Sequence, residues 1–130
     1  MTRGLILFAH GARDAAWAAP FESVAALMRL HEPMLQVHLA YLEFMTPTLA
    51  DAGTSLAAAG CGHVDLVPMF LGTGGHVRRD LPVLVEQMRA QHPEVVFTLH
   101  GAIGEVRSVH QAMAEAVAQM LAASPPGATR

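Results

Sequence analysis

At 130 residues, with 52% apolar and 15% charged side chains, the chain can bury one core and is too apolar for general disorder. A net charge of −3 with histidine neutral, and no run of Lys or Arg, argues against nucleic acid or an anionic membrane surface as partner. One cysteine, Cys61, excludes an internal disulfide and a cysteine-built zinc site, and fits a reducing, cytoplasmic setting.

The opening MTRGLILFAHG is too short to span a membrane and has no small-residue cleavage site. Its apolar run, residues 5–10, predicts a central parallel strand buried on both faces. Trp17, Phe21, Val24 and Met28 then stripe a helix that begins or kinks near Pro20. Residues 35–44 alternate more and read as an edge strand. Thr46-Pro47 reads as cap and first position of a helix running to Ala59 and stopped by Gly60.

A third strand is expected over 63–71, with Pro68 near its end, followed by the glycine-rich GTGGHVRRDLP. Asp80 is the expected cap of the third helix, whose apolar face is Leu81, Leu84 and Met88. A fourth strand covers 95–100. Val106, Val109, Met113, Val117 and Met120 stripe the last helix. Residues 1–123 read as one domain and 124–130 as a flexible tail.

Four strand–helix units imply a parallel sheet, and a flavodoxin-like order 2-1-3-4 is the expected arrangement. Ligands bind such sheets at the carboxyl ends of the strands, near the switch between strands 1 and 3. His10 closes strand 1, Glu43 lies near the end of strand 2, and His76 sits in the loop after strand 3. Two imidazoles and a carboxylate suit a divalent transition metal and leave room for other ligands. Gly74 and Gly75 suggest close approach of something large, and Arg78 and Arg79 either pair with acidic ligand groups or solvate the loop. His31, His38, His63, His92 and His110 read as structural, the methionines at helical spacing as core, and Cys61 as an inert thiol.

LFAHGARD, AYLEFMTPTLADA and VPMFLGTGGHVRRDLP together resemble the short CbiX-type sirohydrochlorin chelatases of the class II superfamily. The resemblance runs from about residue 4 to 90, and more weakly to the end. Ala12 stands where the family usually has serine. LHGAIG departs from the family's proline-rich version, so His100 inherits no role.

The resemblance implies insertion of a divalent metal, cobalt first and iron next, with nickel in some relatives, into sirohydrochlorin. It implies His10, His76 and Glu43 as catalytic and metal-contacting residues, no organic cofactor, and pairing of one-lobed chains as homodimers. Arg13, Met45, Phe70, Leu71, Gly74, Gly75, Arg78 and Arg79 would then line the macrocycle. The alternative on the same fold is a metal or tetrapyrrole carrier without turnover. A phosphohistidine phosphatase or mutase would need an arginine where Ala9 stands, and a mere interaction module would leave the converging ionisable residues as coincidence. Sequence alone does not choose the metal, since intrinsic affinity follows the Irving–Williams order.

Overall fold

Six residues in a row, Gly4–Ala9, are buried, as a strand with a neighbour on each side requires. The computed structural model describes residues 2–72, 74–124 and 126–127, and His76 by its backbone alone. Its strands are β1 (Thr2–Ala9), β2 (Gln36–Tyr41), β3 (Cys61–Pro68) and β4 (Val96–Leu99). Its helices are α1 (Ala19–His31), α2 (Leu49–Ala58), α3 (Gly75–Gln91) and α4 (Arg107–Ala123), with 3₁₀ turns at Ala15–Ala18 and Ile103–Glu105. The sheet is parallel throughout, in the order β2-β1-β3-β4, so the expected topology holds.

Alternate residues of the strands feed two cores. Ile6, Phe8, Val64, Leu66 and Phe97 pack under α2 and α3 with Leu56, Leu81, Val85 and Met88. Leu5, Leu7 and Val37 pack under α1 with Ala25, Val24 and Met28. Full burial of a side chain such as Ile6 or Leu56 contributes about 1.5–3 kcal/mol relative to exposure.

Three element boundaries differ from expectation. The second helix is capped by Thr48, whose hydroxyl accepts from the Asp51 amide while the Asp51 carboxylate accepts from the Thr48 amide. That reciprocal pair wins over Thr46-Pro47, a cis peptide lying before the helix. The third helix starts at Gly75 rather than after Asp80, with Gly74 as a cap that offers no side chain, and Pro82 falls inside it. The strands stop short of the predicted 35–44 and 63–71, because their last residues already belong to the loops at the carboxyl edge.

The fourth difference is larger. The stripe on α4 forms as predicted, yet no residue of that helix is buried, and its main contact is with the 3₁₀ turn Ile103–Glu105. Among the described residues, no helix covers the β3–β4 half of the sheet face that α1 leaves open, and Val96 there is 59% exposed. Of the expected tail, Pro125 and residues 128–130 lie outside the described residues.

Candidate active site

The β1–β2 pairing outlasts both strands. The Leu42 amide donates to the Ala9 carbonyl and the Glu43 amide to the His10 carbonyl, each at 3.0 Å. Glu43 thus stands beside His10, two residues past the end of β2 instead of within it. Gly11 follows at φ +89°, and a β-carbon there would collide with the Glu43 carbonyl oxygen. Only glycine accepts both conditions, which is why the buried strand hands over to His-Gly at this edge.

The loop after β3 reaches the same place. The Met69 amide donates to the Phe8 carbonyl at 2.7 Å, which carries Phe70 across the end of β1. The buried Phe70 ring lies against the exposed His10 imidazole, centroids 4.3 Å apart and planes at 35°, and meets Phe8 edge-on at 5.9 Å. Leu71, next in the chain, is exposed.

One residue of this edge was missed by sequence reasoning. Phe44 sits at φ +65°, a left-handed conformation uncommon for an aromatic residue, and is exposed. The Arg13 guanidinium stands over its ring, 5.1 Å from the centroid. Composition gives no signal for such a turn; the nearest clue was its position directly after Glu43. Met45 is half-buried and packs toward Tyr41 and Ala9, so it supports this loop from below.

His76 is the second residue of α3, and its side chain lies outside the described residues. Gly72, Gly74 and Gly75 have no atoms near where a side chain would go and no left-handed φ. The glycines here leave space; the backbone conformation does not demand them. Arg78 and Arg79 are exposed on the first turns of α3 and make no ion pair among the described residues. Among the described residues, no three of His, Cys, Asp and Glu are grouped so as to hold a metal ion, and His10 and Glu43 are the pair brought together at this edge.

His100 belongs elsewhere. Its Nε2 lies 2.8 Å from Asp65 Oδ1, on the sheet face that α1 leaves bare. His63 Nε2 lies 3.3 Å from the same oxygen, and Arg3 donates to Oδ2 at 2.9 Å. Burial pushes the Asp65 carboxyl up, but the hydrogen bonds from His100, Arg3 and His63 outweigh it and hold the value below the usual carboxylate range. Cys61 is buried, and burial pushes its thiol up, away from the reactive thiolate.

The CbiX family model matches residues 4–120. The chain belongs to the CbiX family. Among its relatives, a sirohydrochlorin cobaltochelatase of Sulfurisphaera tokodaii is 26% identical over 121 residues, 93% of this chain and 96% of that one. One of Saccharolobus solfataricus is 29% identical over 107 residues, 78% of this chain and 82% of that one. A crystal structure of a CbiX protein assigned to cobalamin biosynthesis in Marinobacter aquaeolei VT8 superposes with a TM-score of 0.83 at 30% identity, covering 94% of this chain and 99% of that one. The sirohydrochlorin chelatase SirB of Bacillus subtilis subspecies spizizenii, solved with cobalt, superposes at 0.79 with 19% identity. This CbiX chain covers 51% of SirB, and that likeness shows the fold.

Proposed function

We propose that this CbiX chain is a sirohydrochlorin chelatase: it exchanges two pyrrole N–H protons of the macrocycle for one divalent metal ion. The observation that carries the reading is the exposed His10 imidazole, backed by Phe70 and flanked by Glu43, at the carboxyl edge of a sheet whose relatives are sirohydrochlorin cobaltochelatases.

Insertion must strip solvent from the ion and carry two protons away. A neutral imidazole on His10 can contact the ion or accept a pyrrole proton, and His76 supplies the second such group. Glu43 balances the charge of the ion or orients the His10 ring. The macrocycle is broad, flat and rimmed with carboxylates. Exposed Phe44 and Leu71 offer apolar surface to its face, and Arg13, Arg78 and Arg79 offer charge to its rim. The open ground beside Gly74 and Gly75 leaves room for its edge.

Cobalt is the first metal in this reading, iron the second and nickel the third. The reaction needs no organic cofactor. The working form is a homodimer, and its compartment the cytoplasm. Among the described residues, no helix is long and apolar enough to cross a membrane.

The test is an anaerobic absorbance assay with purified protein and sirohydrochlorin, adding cobalt(II), iron(II) and nickel(II) in turn. Conversion faster than the uncatalysed control is the expected result. Stoichiometric binding without acceleration would replace the chelatase with a carrier.

A further inference from the structure

Among the described residues other than glycine, Phe44 alone has a φ in the left-handed region, +65°. Glycine or asparagine takes that conformation readily, whereas a phenylalanine there is strained and persists only where its surroundings hold it. The core does not need the ring, which belongs to none of the buried clusters and is 58% exposed. Neither backbone nor core explains an aromatic residue at this turn. What remains is the contact it makes.

That contact is with Arg13, whose guanidinium carbon stands 5.1 Å from the ring centroid. Arg13 is exposed, and among the described residues its guanidinium makes no hydrogen bond or ion pair. The neighbouring carboxylate, Asp14, is engaged in its own turn, where it accepts from the Ala16 amide at 3.0 Å. Arg3, Arg29 and Arg89, by contrast, each donate to a protein oxygen: Asp65, the Val37 carbonyl and the Phe97 carbonyl.

A ring beneath a guanidinium touches it through the face and leaves the N–H groups around its edge free to donate. Those donors match the two oxygens of a carboxylate side by side. An arginine loose on an exposed loop loses side-chain freedom when it binds; one already resting on a ring loses less. The pair is also anchored at the reactive edge. Phe44 follows Glu43, whose amide donates to the His10 carbonyl, and Arg13 follows closely on Gly11, against which the Glu43 carbonyl presses. Ring, guanidinium and imidazole are tied to one backbone junction.

We infer that Phe44 is a positioning residue: it steadies the Arg13 guanidinium as the seat for one carboxylate of the macrocycle rim. The ring then contributes to recognition only through the guanidinium. The inference takes its substrate from the chelatase reading, but it concerns binding alone and needs no metal.

The test is a double-variant cycle read by the binding of metal-free sirohydrochlorin. Trp17, the single tryptophan of the chain, sits in the turn after Arg13 and reports binding by losing its fluorescence to the macrocycle. The proteins are wild type, Arg13→Gln, Phe44→Leu, the double variant and Phe44→Tyr, with circular dichroism to establish folding. Kd should rise about tenfold with Arg13→Gln. It should rise about threefold with Phe44→Leu, which keeps an apolar group without an aromatic face. The double variant should bind no more weakly than Arg13→Gln alone, and Phe44→Tyr, which restores the ring, should bind as wild type. Losses that multiply, to about thirtyfold in the double variant, would overturn the inference, since ring and guanidinium would then act separately. Full binding by Phe44→Leu, weak binding by Phe44→Tyr, or no binding by wild type would overturn it too. The expected pattern in a protein that does not speed metal insertion would uphold the inference and replace the chelatase with a carrier.

Discussion

The backbone carbonyl of Glu43 fills the space that a side chain on Gly11 would need. This contact holds the loops after β1 and β2 together and fixes how far Glu43 stands from His10. Gly11→Ala meets both the collision and a left-handed φ of +89°, so the loops must part. Such strain costs about 1–3 kcal/mol. The expected outcome is a Tm lowered by several degrees together with a loss of metal insertion larger than the stability loss explains, measured by thermal melts and the absorbance assay.

His10 is exposed, and its removal takes no atoms from the core. His10→Ala should abolish insertion while costing no more stability than the lost contact with the Phe70 ring, about 0.5–1.5 kcal/mol. Normal turnover in this variant would remove His10 from the chemistry.

Phe70 acts on the imidazole through its ring. Phe70→Leu keeps an apolar group of similar size, at a core cost under about 1.5 kcal/mol, but gives up an aromatic contact worth about 0.5–1.5 kcal/mol. Steady-state kinetics should then show a several-fold fall in kcat with KM almost unmoved. A rise in KM alone would make Phe70 a substrate contact rather than a positioning residue.

Arg13 bridges two roles, resting on Phe44 and facing solvent. Arg13→Glu and Arg78→Glu should each raise the KM for sirohydrochlorin by about tenfold, equivalent to roughly 1.4 kcal/mol of lost binding. An unchanged KM for Arg78→Glu would return that residue to simple solvation of its helix.

Asp65 gives the fold an acid-sensitive element. Its carboxyl sits below the usual carboxylate range because the hydrogen bonds from His100, Arg3 and His63 exceed the opposing effect of burial. In the unfolded chain the group binds a proton more readily, so its contribution to stability is full above the ordinary carboxylate range and fades as pH falls through the lowered value. Asp65→Asn should cost about 1–3 kcal/mol at neutral pH. Denaturant titrations should show the gap between variant and wild type closing in acid; a gap independent of pH would contradict the assignment.

The parallel order was legible because residues 5–10, 63–71 and 95–100 read as strands set between helical stripes. The convergence of His10 and Glu43 followed from that order alone, before any side chain was placed. What escaped was set by contacts without a local signature. The glycines before α3 hide its start, since a cap without a side chain looks like loop, and Asp80 offered a better cap by composition. Thr46 and Thr48 flank one proline, and only the reply of Asp51 decides between them. Arg3 and Asp65 are 62 residues apart, so their pairing exists only once β1 lies beside β3. The α4 stripe showed periodicity plainly, but periodicity says that a face wants cover and not who provides it.

Gly104 pressing on the Leu71 backbone has a consequence for the smallest working unit. A chain cut after His100 would keep every strand, both cores but for Ala102, and all the candidate residues from His10 to Arg79. It would nonetheless lose the brace on the loop that carries Phe70, and with it the backing of the His10 ring. The last strand is therefore not the end of the machine: a few residues beyond it, chemically mute themselves, keep the reactive edge in shape.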